Sequence, residues 1–317
     1  MARLGFIAAQ RRRAPLAAAL LALAALAMGP GAAAQTLDPS LDPTLRKIVD
    51  TKTLVVGHRE QSVPFSFMVS EATGLHHGAP GAVVGYTIDL CLAVAEDLKQ
   101  SLNLPDLAVE YRAVTAETRF QALQDGDIDI LCGSTTETLK RREQVAFSLL
   151  TFATGIEFLV HDELDFSAAV DFNGRRVGVV GGTTAEDAVR EAIVRLNLVD
   201  VEVVLFNGYD AGLAALEDKQ IAAFFGDRIL LVNLIGRARE PEKLTLLNRL
   251  ISYEPYALAV RRDSPDFLLA VDRTLAALYR SRDILPIFQR WFGGMGVLSN
   301  EPLLRALYNL QALPEGQ

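Results

Sequence analysis

The chain has 317 residues, half of them hydrophobic and 22% charged, with a mean hydropathy of +0.22. That composition excludes disorder, collagen-like repeats and small disulfide scaffolds, and its length accommodates roughly two domains of about 150 residues each. The formal net charge of −8 argues against nucleic acid or an anionic lipid surface as a partner.

Residues 1–34 stand apart from the rest. They open with Arg3, Arg11, Arg12 and Arg13 and carry no acid; an apolar run from Leu16 to Met28 then leads to Ala32-Ala33-Ala34. A basic start, a short apolar stretch and a small-residue site form a secretory signal peptide, with cleavage expected after Ala34. The apolar run is shorter than the ~20 residues that span a bilayer. Cleavage removes four arginines and no acid, which takes the net charge from −8 to −12.

Downstream, strand-like runs alternate with helical ones. In chain order the predicted strands are 53–56, 109–114, 127–132, 156–160, 176–180, 202–206, 221–225 and 256–260. Helical spacing of apolar residues predicts helices over 86–99, 117–124, 137–144, 184–196, 210–218, 264–280 and 283–292. Alternation of this kind predicts an α/β fold of parallel sheets with helices on both faces. In such folds ligands bind beyond the carboxyl ends of strands. Four strand exits carry polar residues there: Gly57-His58-Arg59, Gly133-Ser134-Thr135-Thr136, Gly181-Gly182-Thr183-Thr184 and Gly226-Asp227.

Each group has two readings. Ser134, Thr135 and Thr136 offer hydroxyls and amides to a carboxylate, or one of them caps the next helix. Thr183-x-x-Glu186 has the spacing of a capping box. Arg141 and Arg142 form either a solvated face or part of a site, and Arg59 and Arg119 are equally ambiguous singly. Asp227 caps a helix over 228–237 or accepts protons from an ammonium ion. Phosphate-loop, dinucleotide, zinc-protease and nucleophile-elbow motifs are absent. Neither the four histidines nor the adjacent pair His76-His77 makes a metal site. Cys91 and Cys132, 41 residues apart, fit neither a redox pair nor a zinc knuckle; buried free thiols are the expected state.

The stretches VVGHREQSVPFS (55–66), CGSTTETLKR (132–141), FS (147–148), GGTTAE (181–186) and IFQRWFG (287–293) together resemble the periplasmic amino-acid-binding proteins of ABC importers. The similarity is greatest to the glutamate/aspartate-binding branch and runs in order from about residue 45 to 296. The resemblance implies a two-lobed periplasmic-binding-protein fold, each lobe a mainly parallel sheet flanked by helices, joined by a two-strand hinge. Lobe one would comprise 45–153 and 256–317, and lobe two 154–255. It further implies a periplasmic receptor, monomeric and without cofactor, that passes its ligand to a membrane permease.

Site roles follow the same resemblance. Arg141 would clamp the ligand's α-carboxylate with Ser134 and Thr136, Asp227 would receive the α-ammonium, and Thr183 and Thr184 would touch the ligand from lobe two. Arg59 and Arg119 would hold the side-chain carboxylate of an acidic ligand. Three guanidiniums and one carboxylate mirror a dicarboxylic amino acid, and arginine's planar donor fork suits carboxylates. Two positions depart from the pattern. Ala116 replaces a serine, and Tyr209 replaces a histidine that reaches the ligand, so a charged donor becomes a neutral one. Phe65 would wall the pocket or sit in the core. Three other functions remain open: a receptor for a broader range of polar amino acids, a cyclohexadienyl dehydratase-like enzyme acting on a prephenate-like substrate, and a sensory receptor lobe.

Overall fold

The computed structural model describes residues 42–70, 78–163, 172–247, 249–294 and 301–316. The expected signal peptide and the His76-His77 loop lie outside these residues. Helix α1 (Pro43–Thr51) begins where Asp42 accepts from the N–H groups of Thr44 and Leu45, satisfying donors that the first helical turn leaves open. It leads to strand β1 (Thr53–His58), followed by the short β2 (Gln61–Ser62), β3 (Ser66–Met68) and β4 (Val83–Val84), which form a small sheet of their own. Then come α2 (Tyr86–Ser101), β5 (Ala108–Ala113), α3 (Arg119–Gln124), β6 (Ile130–Cys132), α4 (Leu139–Arg142) and β7 (Ala146–Thr154). The chain continues through β8 (Ile156–His161), β9 (Arg176–Val180), α5 (Thr184–Arg195), β10 (Glu202–Phe206), α6 (Tyr209–Glu217), β11 (Ala223–Asp227), α7 (Arg228–Ile235) and β12 (Leu244–Leu246). It ends with β13 (Glu254–Val260), α8 (Pro265–Ser281), α9 (Ile284–Phe292) and α10 (Glu301–Leu310).

Two five-stranded sheets organise these elements. The first has the order β5-β1-β6-β13-β7 and the second β10-β9-β11-β8-β12. Each departs from an all-parallel arrangement in the same way. In the first, β1 runs parallel to β5 and β6, whereas β13 is antiparallel to β6 and β7. In the second, β9 runs parallel to β10 and β11, whereas β8 is antiparallel to β11 and β12. Parallel neighbours need a long crossover, usually a helix. Strands β8 and β13 instead enter their sheets directly from the other sheet, so they arrive in the opposite sense.

The chain passes from the first sheet to the second through Gly155 alone and returns between Leu246 and Glu254. At Gly155 the outgoing and returning segments press backbone against backbone: an added Cβ would lie 2.4 Å from the Ser252 carbonyl oxygen. The N–H of Ile251 donates to Ile156 O at 2.9 Å, and the N–H of Arg228 donates to Gly155 O at 2.8 Å. Beside these crossings Phe65 sits fully buried, its ring edge-on to Tyr86, Phe152 and Tyr256 and tilted against Phe292. The core reading of Phe65 is therefore correct.

The free-thiol expectation is overturned: Cys91 and Cys132 form a disulfide, with their Cα atoms 6.5 Å apart. Helix α2 packs across β6, and that contact brings the two cysteines together through tertiary structure that no local spacing reveals. The bond fixes α2 to the strand that feeds Gly133, Ser134 and the loop beyond. Among the described residues, no helix is long and apolar enough to cross a membrane.

Candidate functional site

The polar strand exits meet at the facing ends of the two sheets. From the first come Arg59, just after β1; Arg119, opening α3; Thr136, after β6; and Arg141, on α4. From the second come Thr184, opening α5; Tyr209, opening α6; and Asp227, ending β11. Direct contacts join the two sides. Arg119 Nη2 donates to Gly182 O at 3.2 Å, the hydroxyls of Thr136 and Thr184 lie 3.5 Å apart, and the N–H of Asp210 donates to Gln61 Oε1 at 3.4 Å. Gly182 has φ +69°, and a Cβ there would lie 3.1 Å from the backbone at Ala116 and Glu117. Glycine is what permits both that left-handed turn and the close approach.

Three guanidiniums converge here. Arg59 is 7% exposed and Arg119 2%, while Arg141 is half-buried. Among the described residues, none of the three pairs with a carboxylate within 4 Å. Burial lowers the proton affinity of all three, and for Arg119 the charges of Arg141 and Arg59 lower it further. The Nε of Arg119 is buried with no partner. Phe120 lies between two of them, its ring centroid 4.7 Å from Arg119 Cζ and 5.4 Å from Arg141 Cζ, a favourable placement of cations over an aromatic face. Arg141 is aimed by its Nη1, which donates to Thr136 O at 2.7 Å. Like charges gathered out of water without counterions are costly, and an anion placed among them would offset that cost.

Opposite them sits a single-sided acid group. Asp227 is 5% exposed, its Oδ1 has no hydrogen-bond partner, and burial followed by the neighbouring charge of Glu254 pushes its carboxyl up to about 7. The Tyr256 hydroxyl approaches it without completing a hydrogen bond. Tyr209, buried at the same place, is pushed upward by burial and by Asp227, with Arg59 and Arg119 acting in the opposite sense.

The structure also separates capping from site chemistry. Helix α4 is capped by Thr138, whose hydroxyl accepts from the N–H of Arg141 at 3.1 Å, so neither Ser134 nor Thr136 serves as that cap. Asp227 precedes α7 but makes no side-chain cap bond. The capping box read at Thr183-x-x-Glu186 does not form: Thr183 Oγ1 donates to Val180 O at 2.7 Å, and Glu186 accepts from the N–H of Gly182 instead. Ser134 is half-buried in the loop after β6. Arg142 turns to solvent and pairs with Glu137, so of the adjacent arginines only Arg141 faces the cluster.

Sequence reasoning missed Glu254, Tyr256 and Phe120. Phe120 was detectable as an aromatic residue beside Arg119. Glu254 and Tyr256 arrive on β13, more than 100 residues after Arg141, and no local signal marks them.

Comparison with known proteins fits this geometry. Residues 54–294 match the profile of the bacterial extracellular solute-binding proteins, family 3. Over 278 residues the chain is 32% identical to the L-glutamate/L-aspartate-binding protein of Pseudomonas aeruginosa, covering 86% of this chain and 89% of that relative. It is also 32% identical over 272 residues to the glutamate/aspartate import solute-binding protein of Escherichia coli K12, covering 86% and 87%. Among solved structures, an ancestral arginine-binding protein bound to glutamine shares the fold at a TM-score of 0.66 and 26% identity, covering 76% of this chain and 98% of that one.

Proposed function

Because this chain belongs to the family 3 bacterial extracellular solute-binding proteins, we propose that it is a periplasmic receptor for an acidic amino acid, which it delivers to the permease of an ABC importer. The observation that carries this reading is the set of three converging guanidiniums with, among the described residues, no carboxylate partner, facing one buried acid whose Oδ1 has no hydrogen-bond partner. A dicarboxylic amino acid supplies two anionic groups to the arginines and one ammonium to Asp227. The names of the relatives in Pseudomonas and Escherichia point to the same ligand class.

In this proposal Arg141, with Ser134 and Thr136, takes the α-carboxylate. Arg59 and Arg119 take the side-chain carboxylate, Asp227 takes the ammonium, and Thr183, Thr184 and Tyr209 complete the wall from the second lobe. Each charge-assisted bond contributes roughly 1.5–3 kcal/mol. The lobes are 45–153 with 256–317, and 154–255. Closure between them would bring the two sets of residues onto the ligand, a known mode of domain motion. Residues 1–34 act as the export signal, and the Cys91–Cys132 disulfide suits an oxidising compartment. The protein makes no covalent change to its ligand.

Native mass spectrometry of protein purified from the periplasm without refolding tests the reading. A co-purified mass equal to glutamate or aspartate is expected. A co-purified basic amino acid, or turnover of added prephenate, would overturn it.

A further inference from the structure

Glu254 stands at the start of β13, where the chain has just returned from the second sheet, and it is 3% exposed. Its two oxygens are occupied by hydroxyls: Ser252 Oγ donates to Oε1 at 2.6 Å and Thr184 Oγ1 donates to Oε2 at 2.7 Å. Among the described residues no lysine, arginine or histidine lies within ion-pair distance of it. A carboxylate buried with only hydroxyl partners is expensive to keep, and a purely structural tie between Ser252 and Thr184 would not need its charge.

We propose that Glu254 is a positioning residue for amino-acid recognition: it holds the Thr184 hydroxyl across the lobe crossing and adds, beside Asp227, a second negative charge that favours an ammonium group in the cleft. The inference rests on the amino-acid reading above and deepens it. Thr184 gives its proton to Glu254, so toward Thr136 and the cleft its oxygen presents lone pairs only. The groups facing Asp227 are Glu254 and Tyr256 on β13, Arg141 on α4 and Tyr209 on α6. Within that set Glu254 is the other acid. It is the foremost charge opposing the effect of burial on Arg141 and the foremost that raises Asp227. An arriving ammonium relieves the repulsion between the two carboxylates, an energy that a ligand lacking nitrogen cannot gain.

Calorimetric titration of the wild type, Glu254→Gln and Glu254→Asp with L-glutamate, L-aspartate and L-glutamine between pH 5.5 and 8.5 tests this. The wild type should lose affinity as pH falls below about 7, where Asp227 protonates. Glu254→Gln keeps one oxygen that can accept from Thr184 or Ser252, while its amide donates to the other hydroxyl; it should bind about tenfold more weakly at pH 8 and lose affinity only about one pH unit lower. Its penalty therefore shrinks on acidification. Glu254→Asp, which keeps the charge, should restore the wild-type pH profile. An unchanged affinity and profile in Glu254→Gln, or the same loss at every pH, would overturn the proposal and leave the functional reading standing. A wild type that binds none of the three amino acids would overturn both.

Discussion

The two lobes share a strand plan but divide the chemistry. In each sheet one strand, β13 in the first and β8 in the second, runs against the other four, and polar strand exits of the two sheets meet through Arg119–Gly182 and Thr136–Thr184. The first lobe supplies Arg59, Arg119 and Arg141; the second supplies Asp227 and Tyr209, with Thr184 at the start of α5. Neither half alone matches a zwitterion with a surplus of negative charge. The first is a cluster of crowded cations and the second a buried acid whose carboxyl has risen to about 7. On the proposed reading, recognition depends on both lobes meeting, and each half carries an electrostatic cost that ligand would relieve.

The strongest way to break this division is at Arg141. Arg141→Ala should weaken every amino acid by about a thousandfold or more, about 4 kcal/mol, since the remaining acid and hydroxyls cannot hold a carboxylate; calorimetry across glutamate, aspartate and glutamine reads it. Loss of the disulfide acts on the scaffold instead of the charges. Cys91→Ser with Cys132→Ser should lower stability by about 2–4 kcal/mol, a fall in Tm of roughly 5–15 °C, with the order of ligand preference unchanged. A reversed preference would mean that the bond sets ligand choice.

Arg59→Ala or Arg119→Ala sharpens the comparison further. Each should weaken glutamate by about 1.5–3 kcal/mol while sparing glutamine; equal losses for both ligands would remove these arginines from side-chain recognition. The smallest effect concerns the unliganded protein. Asp227 has a folded pKa of about 7 against about 3.9 unfolded, so it holds its proton more tightly when folded. Its contribution is intact below pH 4 and is lost as pH rises toward 7. Asp227→Asn should therefore stabilise the free protein by about 1–2 kcal/mol at pH 8 and leave it unchanged at pH 4, as thermal melts at the two pH values will read.

Much of this was legible in the chain. The strand exits that carry Arg59, Ser134 to Thr136, Thr183-Thr184 and Asp227 follow from alternating apolar runs, because local patterning sets those strands and helices. Strand β7 escaped notice because Ser148 and Thr151 interrupt it. Both are buried with bonded hydroxyls: Ser148 Oγ accepts from the N–H of Leu258, and Thr151 Oγ1 donates to Tyr256 O. The one reversed strand of each sheet was hidden for a related reason, since β8 and β13 owe their direction to lobe crossings that periodicity does not encode. The same holds at the site. Asp227 could be placed at a strand end, but not Glu254, which meets it only after the chain has returned, nor the pairing of Cys91 with Cys132.

Calorimetry of the processed wild-type protein with L-glutamate, L-aspartate and L-glutamine at pH 8 bears most directly on the converging charges. Dissociation constants of about one micromolar or below for an acidic ligand, roughly −8 kcal/mol or better, with glutamine at least about tenfold weaker, are predicted. Glutamine bound as tightly as the acids, or no heat from any of the three, would contradict the account.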